Sequence, residues 1–297
     1  MEWYDALIMG VVQGVAEFLP ISSSGQLEIC HEILGVNTSG ADALQFDIAL
    51  HVATVLSTVV VLWHEFSGIC KSVFTWHKDD NFYTFWKILL SCVPVLIVAV
   101  VFEKYIEAFF GGNLLVVGIC QLMTAALLVF AYFYRTRGFL ASYPVRKYGS
   151  EGRPIGWGDA FTIGVAQAVA VLPGLSRSGS TIATGIILGN KREQVAKFSF
   201  LMVIIPILGA AFLDVLKASI SHQATTEVTE AVSISPEIGI FSLVIGFLSA
   251  FIIGCVACKW LLNIVKKGKL VWFALYCLAT GLLCIVYTLF VNTHAAA

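Results

Sequence analysis

The chain has 297 residues, of which 58% are hydrophobic and 12% charged, and its formal net charge at pH 7 is −1. A soluble domain of this size carries roughly twice that share of charged residues, so the composition excludes an ordinary soluble protein. It also lacks the basic patches and motifs of nucleic-acid-binding proteins, and we expect no nucleic-acid partner. Apolar stretches of about 20 residues recur along the chain, which is the length that a helix needs to cross a bilayer.

The first element of the chain, residues 3–35, occurs a second time at residues 157–189. The two stretches align without a gap, and 14 of the 33 aligned pairs are identical. Shared apolar composition does not produce matched tryptophan, aspartate, glutamine, serine and glycine, so the pattern indicates an internal duplication. We therefore expect a single membrane domain, 1–297, built from repeats 1–145 and 146–297. The matched polar and small residues include Trp3/Trp157, Asp5/Asp159, Gly10/Gly164, Gln13/Gln167, Ser22/Ser176, Ser24/Ser178 and Gly25/Gly179.

Each copy of this element contains an apolar half of about 16 residues, a break rich in proline, glycine and serine, and a second short apolar half. Neither half reaches the roughly 20 residues of a full crossing. The break leaves backbone groups without hydrogen bonds, which is tolerated at membrane depth where they are buried in protein or line a wet cavity. The pattern favours a re-entrant helical hairpin in each copy. The alternative is one kinked helix that spans the membrane.

Three longer apolar blocks follow each hairpin. They occupy residues 44–64, 83–103 and 113–134 in the first half, and 196–216, 237–257 and 270–291 in the second. Because three crossings are an odd number, the second hairpin must enter the membrane from the face opposite to the first. The sequence therefore predicts an all-α integral membrane protein with six transmembrane helices plus two re-entrant helical hairpins in an inverted-topology repeat.

The lysines and arginines predict the orientation of this arrangement. In the predicted topology, 15 of the 18 lie on one face, Lys104 and Lys217 lie on the face that holds the N-terminus, and Arg177 lies at a hairpin tip. Cytoplasmic loops carry the excess of basic residues, so we expect both termini to be outside. The basic run around Lys266 is expected to contact anionic membrane lipids. Nothing in the sequence indicates an oligomeric state.

Polar residues collect at the two hairpin tips. Serines and glycines open the second half of each hairpin, where free backbone N–H groups and the positive end of the helix dipole favour anions. Arg177 adds a planar guanidinium that suits phosphate or carboxylate, and we expect an anion site for which phosphate fits best. The first tip contributes Gln13, Glu17, Ser22, Ser23, Ser24, Gly25 and Gln26, and the second contributes Gln167, Ser176, Arg177, Ser178, Ser180 and Thr181.

Glu17 is the acidic counterpart of Arg177, and a carboxylate at this depth is a functional candidate by default. It could hold a divalent cation that bridges phosphate oxygens, or act as a general base. It could also simply neutralise Arg177 in a structural ion pair. His51, on the first long apolar block, could reach the tips, although spacing alone does not place it there.

The two tips resemble the motifs of the undecaprenyl-diphosphate phosphatases of the bacitracin-resistance type. The matching segments are "QGVAEFLPISSSG" (13–25) and "PGLSRSGST" (173–181), and the resemblance covers essentially the whole chain. It implies a membrane hydrolase that removes the terminal phosphate of a C55 polyprenyl diphosphate, giving the monophosphate carrier lipid for cell-wall synthesis. It further implies the bacterial cytoplasmic (inner) membrane, a site open to the outer, periplasmic face, and a divalent cation, Mg²⁺ or Ca²⁺.

The resemblance also implies roles for individual residues. Glu17 would bind the metal of the metal–diphosphate complex or activate a nucleophile, and Arg177 would bind the diphosphate. Ser176, Ser178 and Thr181 would be hydrogen-bond donors or supply a candidate nucleophile, and Ser23 is the matching serine of the first tip. The expected catalytic set is Glu17, Ser23, Ser176 and Arg177. The expected diphosphate-binding residues are Gln13, Ser22, Ser24, Gln26, Gly174, Ser178 and Thr181.

Two positions depart from the family pattern. Gln13 replaces a glutamate and is an allowed variant, whereas Gln26 replaces a histidine, and glutamine cannot act as a nucleophile or carry protons. Gln26 could merely position phosphate, His51 or another group could substitute for the histidine, or the activity could be weak. Two other functions stay open on the sequence: a transporter or flippase for a phosphorylated lipid or anion, and a lipid-binding homologue without catalytic activity.

Overall fold

The computed structural model describes residues 1–35, 41–110, 113–137, 152–222 and 239–295. This part of the chain is helical, and the predicted boundary between the repeats at residues 145 and 146 lies outside it. The helices are α1 (Trp3–Ala16), α2 (Ser23–Leu34), α3 (Ala41–Val61), α4 (Trp63–Phe74), α5 (Asp80–Phe110), α6 (Leu114–Arg137), α7 (Trp157–Val169), α8 (Arg177–Ile187), α9 (Arg192–Met202), α10 (Ile204–His222), α11 (Ile240–Lys267) and α12 (Val271–Ala295).

The helices confirm an all-α, multi-pass membrane protein. Five stretches are long and apolar enough to cross a membrane, and a sixth is obtained if α3 and α4 count as one span bent by 85°. Each of the six predicted apolar blocks therefore has its helical counterpart. The opposite orientation of the two halves stays a prediction. The five stretches are Asp80–Val101, Leu114–Tyr134, Arg192–Leu213, Ile240–Lys267 and Val271–Phe290.

The repeated element forms two pairs of short helices, and each pair is divided by a short break. Residues 17–22 separate α1 from α2, residues 170–176 separate α7 from α8, and the two arms of each pair contact each other. The breaks end in equivalent caps, because Ser22 Oγ accepts the backbone N–H of Gly25 at 3.3 Å and Ser176 Oγ accepts that of Gly179 at 3.0 Å. A side-chain oxygen at the N-cap satisfies a backbone donor that the helix leaves free. This shared cap hydrogen bond accounts for the first serine and the glycine of the matched Ser-x-Ser-Gly sequences.

Each first arm packs against a long helix of the other half of the chain. Helix α1 lies along α11, and α7 lies along α5. A Cβ at Gly10 would clash with the carbonyl oxygen of Gly246, and one at the repeat-equivalent Gly164 would clash with that of Ser91. The two glycines allow backbones to approach closely, as small residues do between membrane helices. This exchange of partners interlocks the halves and brings the two breaks together.

A buried aromatic contact packs the first break against α9. Phe18, inside the first break, packs edge-to-face against Phe200 of α9 with ring centroids 5.4 Å apart, and both side chains are buried. Helix α8 is buried along most of its length, from Ser178 to Ile186. In the second break itself, Ala170, Gly174, Leu175 and Ser176 are buried, so part of its irregular backbone is enclosed in protein, as membrane depth requires.

The packing of α7 on α5 yields a stability prediction. Gly164→Ala inserts a methyl group against the backbone of Ser91, and overpacking of this kind costs about 1–3 kcal/mol. We expect a lower melting temperature for the purified protein in detergent. Gly158→Ala, in the same helix, is the matched control, because a Cβ there meets nothing within 4 Å. It should melt at or above the temperature of the parent protein, and equal melting of the two variants would contradict this packing account.

Candidate active site

The two breaks meet through an ion pair between residues 160 positions apart. Arg177 Nη2 donates to Glu17 Oε1 at 3.0 Å. The Glu17 side chain is 7% exposed and that of Arg177 is 28% exposed, so the carboxylate is enclosed while the guanidinium keeps an open side. Glu17 directly follows α1, and Arg177 is the first residue of α8. The pair therefore joins the tip of one repeat to the tip of the other.

The second oxygen of Glu17 is held within the first repeat. Glu17 Oε2 accepts hydrogen bonds from Gln13 Nε2 at 3.0 Å and from Ser23 Oγ at 2.8 Å. Gln13 lies four residues earlier, on the same side of the helix, which explains the contact. Ser23 reaches back from the first turn of α2. The carboxylate thus aligns a hydroxyl on one side and the arginine on the other.

His51 completes the surroundings of this carboxylate. Its Nε2 lies 3.7 Å from Glu17 Oε2, and its Nδ1 lies 2.8 Å from the backbone carbonyl of Asp47. Because a carbonyl oxygen can only accept, Nδ1 carries the hydrogen and Nε2 faces Glu17. The histidine that the sequence left unplaced therefore lies at the site, on α3.

Hydrogen bonds made by residues of the second tip hold the start of α8 in place. The backbone N–H of Ser176 donates to Thr124 Oγ1 at 3.0 Å, and Ser178 Oγ donates to the carbonyl of Leu19 at 3.1 Å. Thr181 Oγ1 lies 2.6 Å from Ser199 Oγ and donates to the carbonyl of Arg177 at 2.9 Å. These contacts tie the start of α8 to α6, to α9 and to the first break.

A cavity of about 480 Å³ opens at the meeting point of the tips. Helices α2 and α8 both begin in its wall, so their first turns direct the positive ends of two helices toward it. One part of the wall is apolar, with Val95, Pro206 and Ala210 among its residues. The cavity thus combines an anion-binding end with an apolar flank. Its polar lining consists of Glu17, Ser22, Ser23, Ser24, Asp47, His51, Gln167, Ser176, Arg177 and Ser178.

The structure brings together most of the site residues expected from the sequence. The whole expected catalytic set, Glu17, Ser23, Ser176 and Arg177, lines the cavity, as do Ser22, Ser24 and Ser178. Gln13 and Thr181 are buried and are not part of the lining. Gln13 donates to Glu17, and Thr181 donates to the first turn of α8.

Gly174 and Gln26 were expected to bind the diphosphate and lie outside the lining. Gly174 has φ of +88°, and a Cβ there would lie 2.7 Å from the backbone of Val117, so it shapes the second break. Gln26 Nε2 donates to the carbonyl of Ile21 at 3.2 Å, and its Oε1 accepts the hydroxyl of Tyr276 at 2.8 Å. Both ends of the Gln26 amide are thus engaged in supporting the first break.

Asp47 and Gln167 also line the cavity. Gln167 was expected from the sequence as a polar residue of the second tip, without a place in the diphosphate-binding set. Asp47 was not expected at the site, and its position four residues before His51 could have revealed it. Within the described ranges, no group of three or more His, Cys, Asp or Glu side chains is placed to hold a metal ion. Asp47 Oδ1 is buried without a described hydrogen-bond partner. The donor set fits a cation shared with phosphate oxygens, and it does not form a closed protein site.

Comparison with known proteins gives one consistent result. The family model described as "Bacitracin resistance protein BacA" matches residues 6–283. A relative named undecaprenyl-diphosphatase from Parabacteroides distasonis is 47% identical, over 97% of this chain and 99% of its own length. Proteins of the same name from Bacteroides thetaiotaomicron and Christiangramia forsetii are 46% and 41% identical, over 96% and 97% of this chain and 99% and 98% of their own lengths.

The ion pair yields a second stability prediction. Arg177→Met leaves the enclosed Glu17 carboxylate without its cation, and loss of one partner of a buried pair costs about 3 kcal/mol or more. Replacing both residues, with Glu17→Gln and Arg177→Met, removes the uncompensated charge and should recover much of the lost stability in detergent.

Lys197→Met is the control for removal of a cation. Lys197 pairs with Glu65 and Glu193 at 2.9 Å on a more exposed surface. Exposed pairs contribute about 1 kcal/mol or less, so this variant should unfold near the parent temperature. If Arg177→Met were as stable as Lys197→Met, the ion pair would not hold the tips together.

Proposed function

The chain belongs to the bacitracin resistance protein BacA family, and we propose on this basis that it is an undecaprenyl-diphosphatase. It is a membrane hydrolase that converts undecaprenyl diphosphate and water into undecaprenyl phosphate and inorganic phosphate. The observation that carries this function is the Glu17–Arg177 pair in the wall of the cavity, with Ser23 bonded to the same carboxylate. The product is the carrier lipid for cell-wall synthesis.

The substrate fits the two kinds of surface in the cavity. Arg177 uses one nitrogen for Glu17, and its planar fork presents the remaining donors to phosphate oxygens. The helix ends at Ser23 and Arg177 add backbone donors to the anion. The apolar flank with Val95 and Ala210 suits the first isoprene units of the lipid.

Ser23 is the hydroxyl that we infer to attack the terminal phosphorus. Its O–H already donates to Glu17 Oε2 at 2.8 Å, which is the geometry of a nucleophile and its base. The serine oxygen bonds to phosphorus as Glu17 takes the proton, and the bridging P–O bond breaks so that the lipid monophosphate leaves with the electron pair. Water then cleaves the phosphoserine, which releases phosphate and restores the serine hydroxyl.

A divalent cation, Mg²⁺ or Ca²⁺, is part of this proposal. Glu17 and Asp47 are the lining carboxylates that would hold it together with the diphosphate. When bound, such a cation neutralises charge that develops on the phosphate oxygens.

We further propose that the protein lies in the bacterial inner membrane with both termini outside and the cavity open to the periplasmic face. The uneven distribution of lysine and arginine supports this orientation. Anionic lipids around Lys266 are the expected neighbours on the cytoplasmic face.

Measurement of phosphate release in detergent distinguishes a hydrolase from a transporter or an inactive lipid-binding protein. The purified protein should release phosphate from undecaprenyl diphosphate, and a chelator should suppress that release. Glu17→Gln and Arg177→Ala should each lower kcat/KM by about 100-fold or more, because each removes a charged group aimed at the reacting phosphate. Lys197→Met should retain parent activity. A parent protein that binds the lipid diphosphate and releases no phosphate would support one of the other two functions.

A trapping experiment tests the nucleophile. Brief reaction with substrate labelled in its terminal phosphate, followed by acid quench, should leave label on Ser23. Ser23→Ala should show neither label nor turnover, while Ser67→Ala, which removes an exposed hydroxyl on α4, should show both. If Ser23→Ala turned over at the parent rate, Ser23 would not be the nucleophile, and Ser176 or a water molecule would be the attacking group instead.

A further inference from the structure

Two glutamines that match in the internal repeat have different surroundings. Gln13 is fully buried, and its Nε2 donates to Glu17 Oε2 at 3.0 Å. Gln167 is 1% exposed, and neither its Nε2 nor its Oε1 has a hydrogen-bond partner among the described protein groups. The same side chain at the same place in the repeat is thus bonded in one copy and unbonded in the other.

The residue four positions later explains this difference. In the first repeat it is Glu17, and in the second it is Val171. An amide at position i and a carboxylate at position i+4 meet on one side of a helix, as Gln13 and Glu17 do. The methyl groups of Val171 can neither donate nor accept, so the second copy lacks the anion that the first copy holds against its glutamine.

Gln167 is one of the residues that line the cavity, together with Arg177 and Ser176. A buried amide without partners is unfavourable, and such groups in native proteins call for a physical explanation. A ligand that enters the cavity with an anionic oxygen would satisfy Nε2. A phosphate group offers such oxygens, and a protonated phosphate can also donate to Oε1.

We propose that Gln167 binds a phosphate group in this cavity, its Nε2 donating to a non-bridging phosphate oxygen. The phosphate oxygen occupies, in the second repeat, the place that the Glu17 carboxylate occupies in the first. The identity of that phosphate as the head of the lipid diphosphate rests on the proposed function, whereas the recognition of phosphate by Gln167 does not. Gln167 thereby joins Arg177 as a second ligand for the anion from the same repeat.

Gln167→Met tests this binding, since methionine has a similar volume and no amide. Because the variant removes an unsatisfied polar group, we expect its melting temperature without ligand to equal or exceed that of the parent protein. The stabilisation by inorganic diphosphate should fall, with the dissociation constant raised about tenfold or more, as for loss of a hydrogen bond to a charged group. Gln167→Glu, which places a negative charge beside the anion, should bind diphosphate more weakly than Gln167→Met.

Gln121→Met is the matched control. Gln121 is also fully buried with an unpartnered Nε2, but it lies on α6 outside the cavity lining. Its variant should retain the parent response to diphosphate, whatever its own stability. A parent-like dissociation constant for diphosphate in Gln167→Met would overturn the proposal, as would a loss of response in Gln121→Met equal to that in Gln167→Met.

Two further ligands distinguish which phosphate group of the lipid diphosphate Gln167 contacts. If Gln167 contacts the phosphate that stays on the lipid, Gln167→Met weakens the binding of undecaprenyl phosphate. If it contacts the phosphate that is released, the binding of inorganic phosphate weakens instead. Parent-like dissociation constants for both ligands would contradict the proposal. These binding measurements need no turnover. If the proposed function fails, the parent protein will not hydrolyse the lipid diphosphate, but its stabilisation by inorganic diphosphate can still be measured.

Discussion

The ion pair between Glu17 and Arg177 is the interaction on which the rest of the site depends. Two charges removed from water are costly unless each meets its partner in good geometry with further hydrogen bonds. The structure meets this condition by placing both groups at breaks between short helices, where backbone donors and hydroxyls are available. Gln13 and Ser23 bond the remaining carboxylate oxygen, and the guanidinium keeps an open side toward the cavity. A pair that only locked the fold would not need that open side.

The fold brings the two charges together through the exchange of helix partners between the repeats. Helix α1 packs on α11 and α7 on α5, with Gly10 and Gly164 at the closest approaches. Each first arm is thereby anchored to the opposite half of the chain. Both breaks consequently open into one cavity, so that residues from two distant parts of the sequence line the same site.

The duplicated scaffold carries an asymmetric site. Both copies keep the capping serine and the glycine three residues later, because in each copy the serine oxygen accepts the backbone N–H of that glycine. The copies differ where side chains face the cavity, with Glu17 against Val171 and Ser23 against Arg177. One copy supplies the carboxylate and the hydroxyl bonded to it, and the other supplies the cation. The proposed hydrolysis uses all three groups, which gives the two copies different tasks at these positions.

The sequence predicted the repeat, the apolar spans and the main polar residues of the tips, because these features depend on local composition and spacing. It could not predict that Gln26 turns away to bond Ile21 and Tyr276, since Tyr276 is 250 residues away in the chain. The placement of His51 beside Glu17 depends likewise on how α3 packs. The 85° bend after α3 was also missed, because the apolar block simply ends there.

The most direct measurement of the central claim is an experimental structure of the protein with a non-hydrolysable methylene-diphosphonate analogue of the lipid substrate. The account predicts that the terminal phosphonate lies between Arg177 and Ser23 and contacts both repeats, with the lipid chain along the apolar flank near Val95. A headgroup bound outside this cavity, or in contact with one repeat alone, would contradict it.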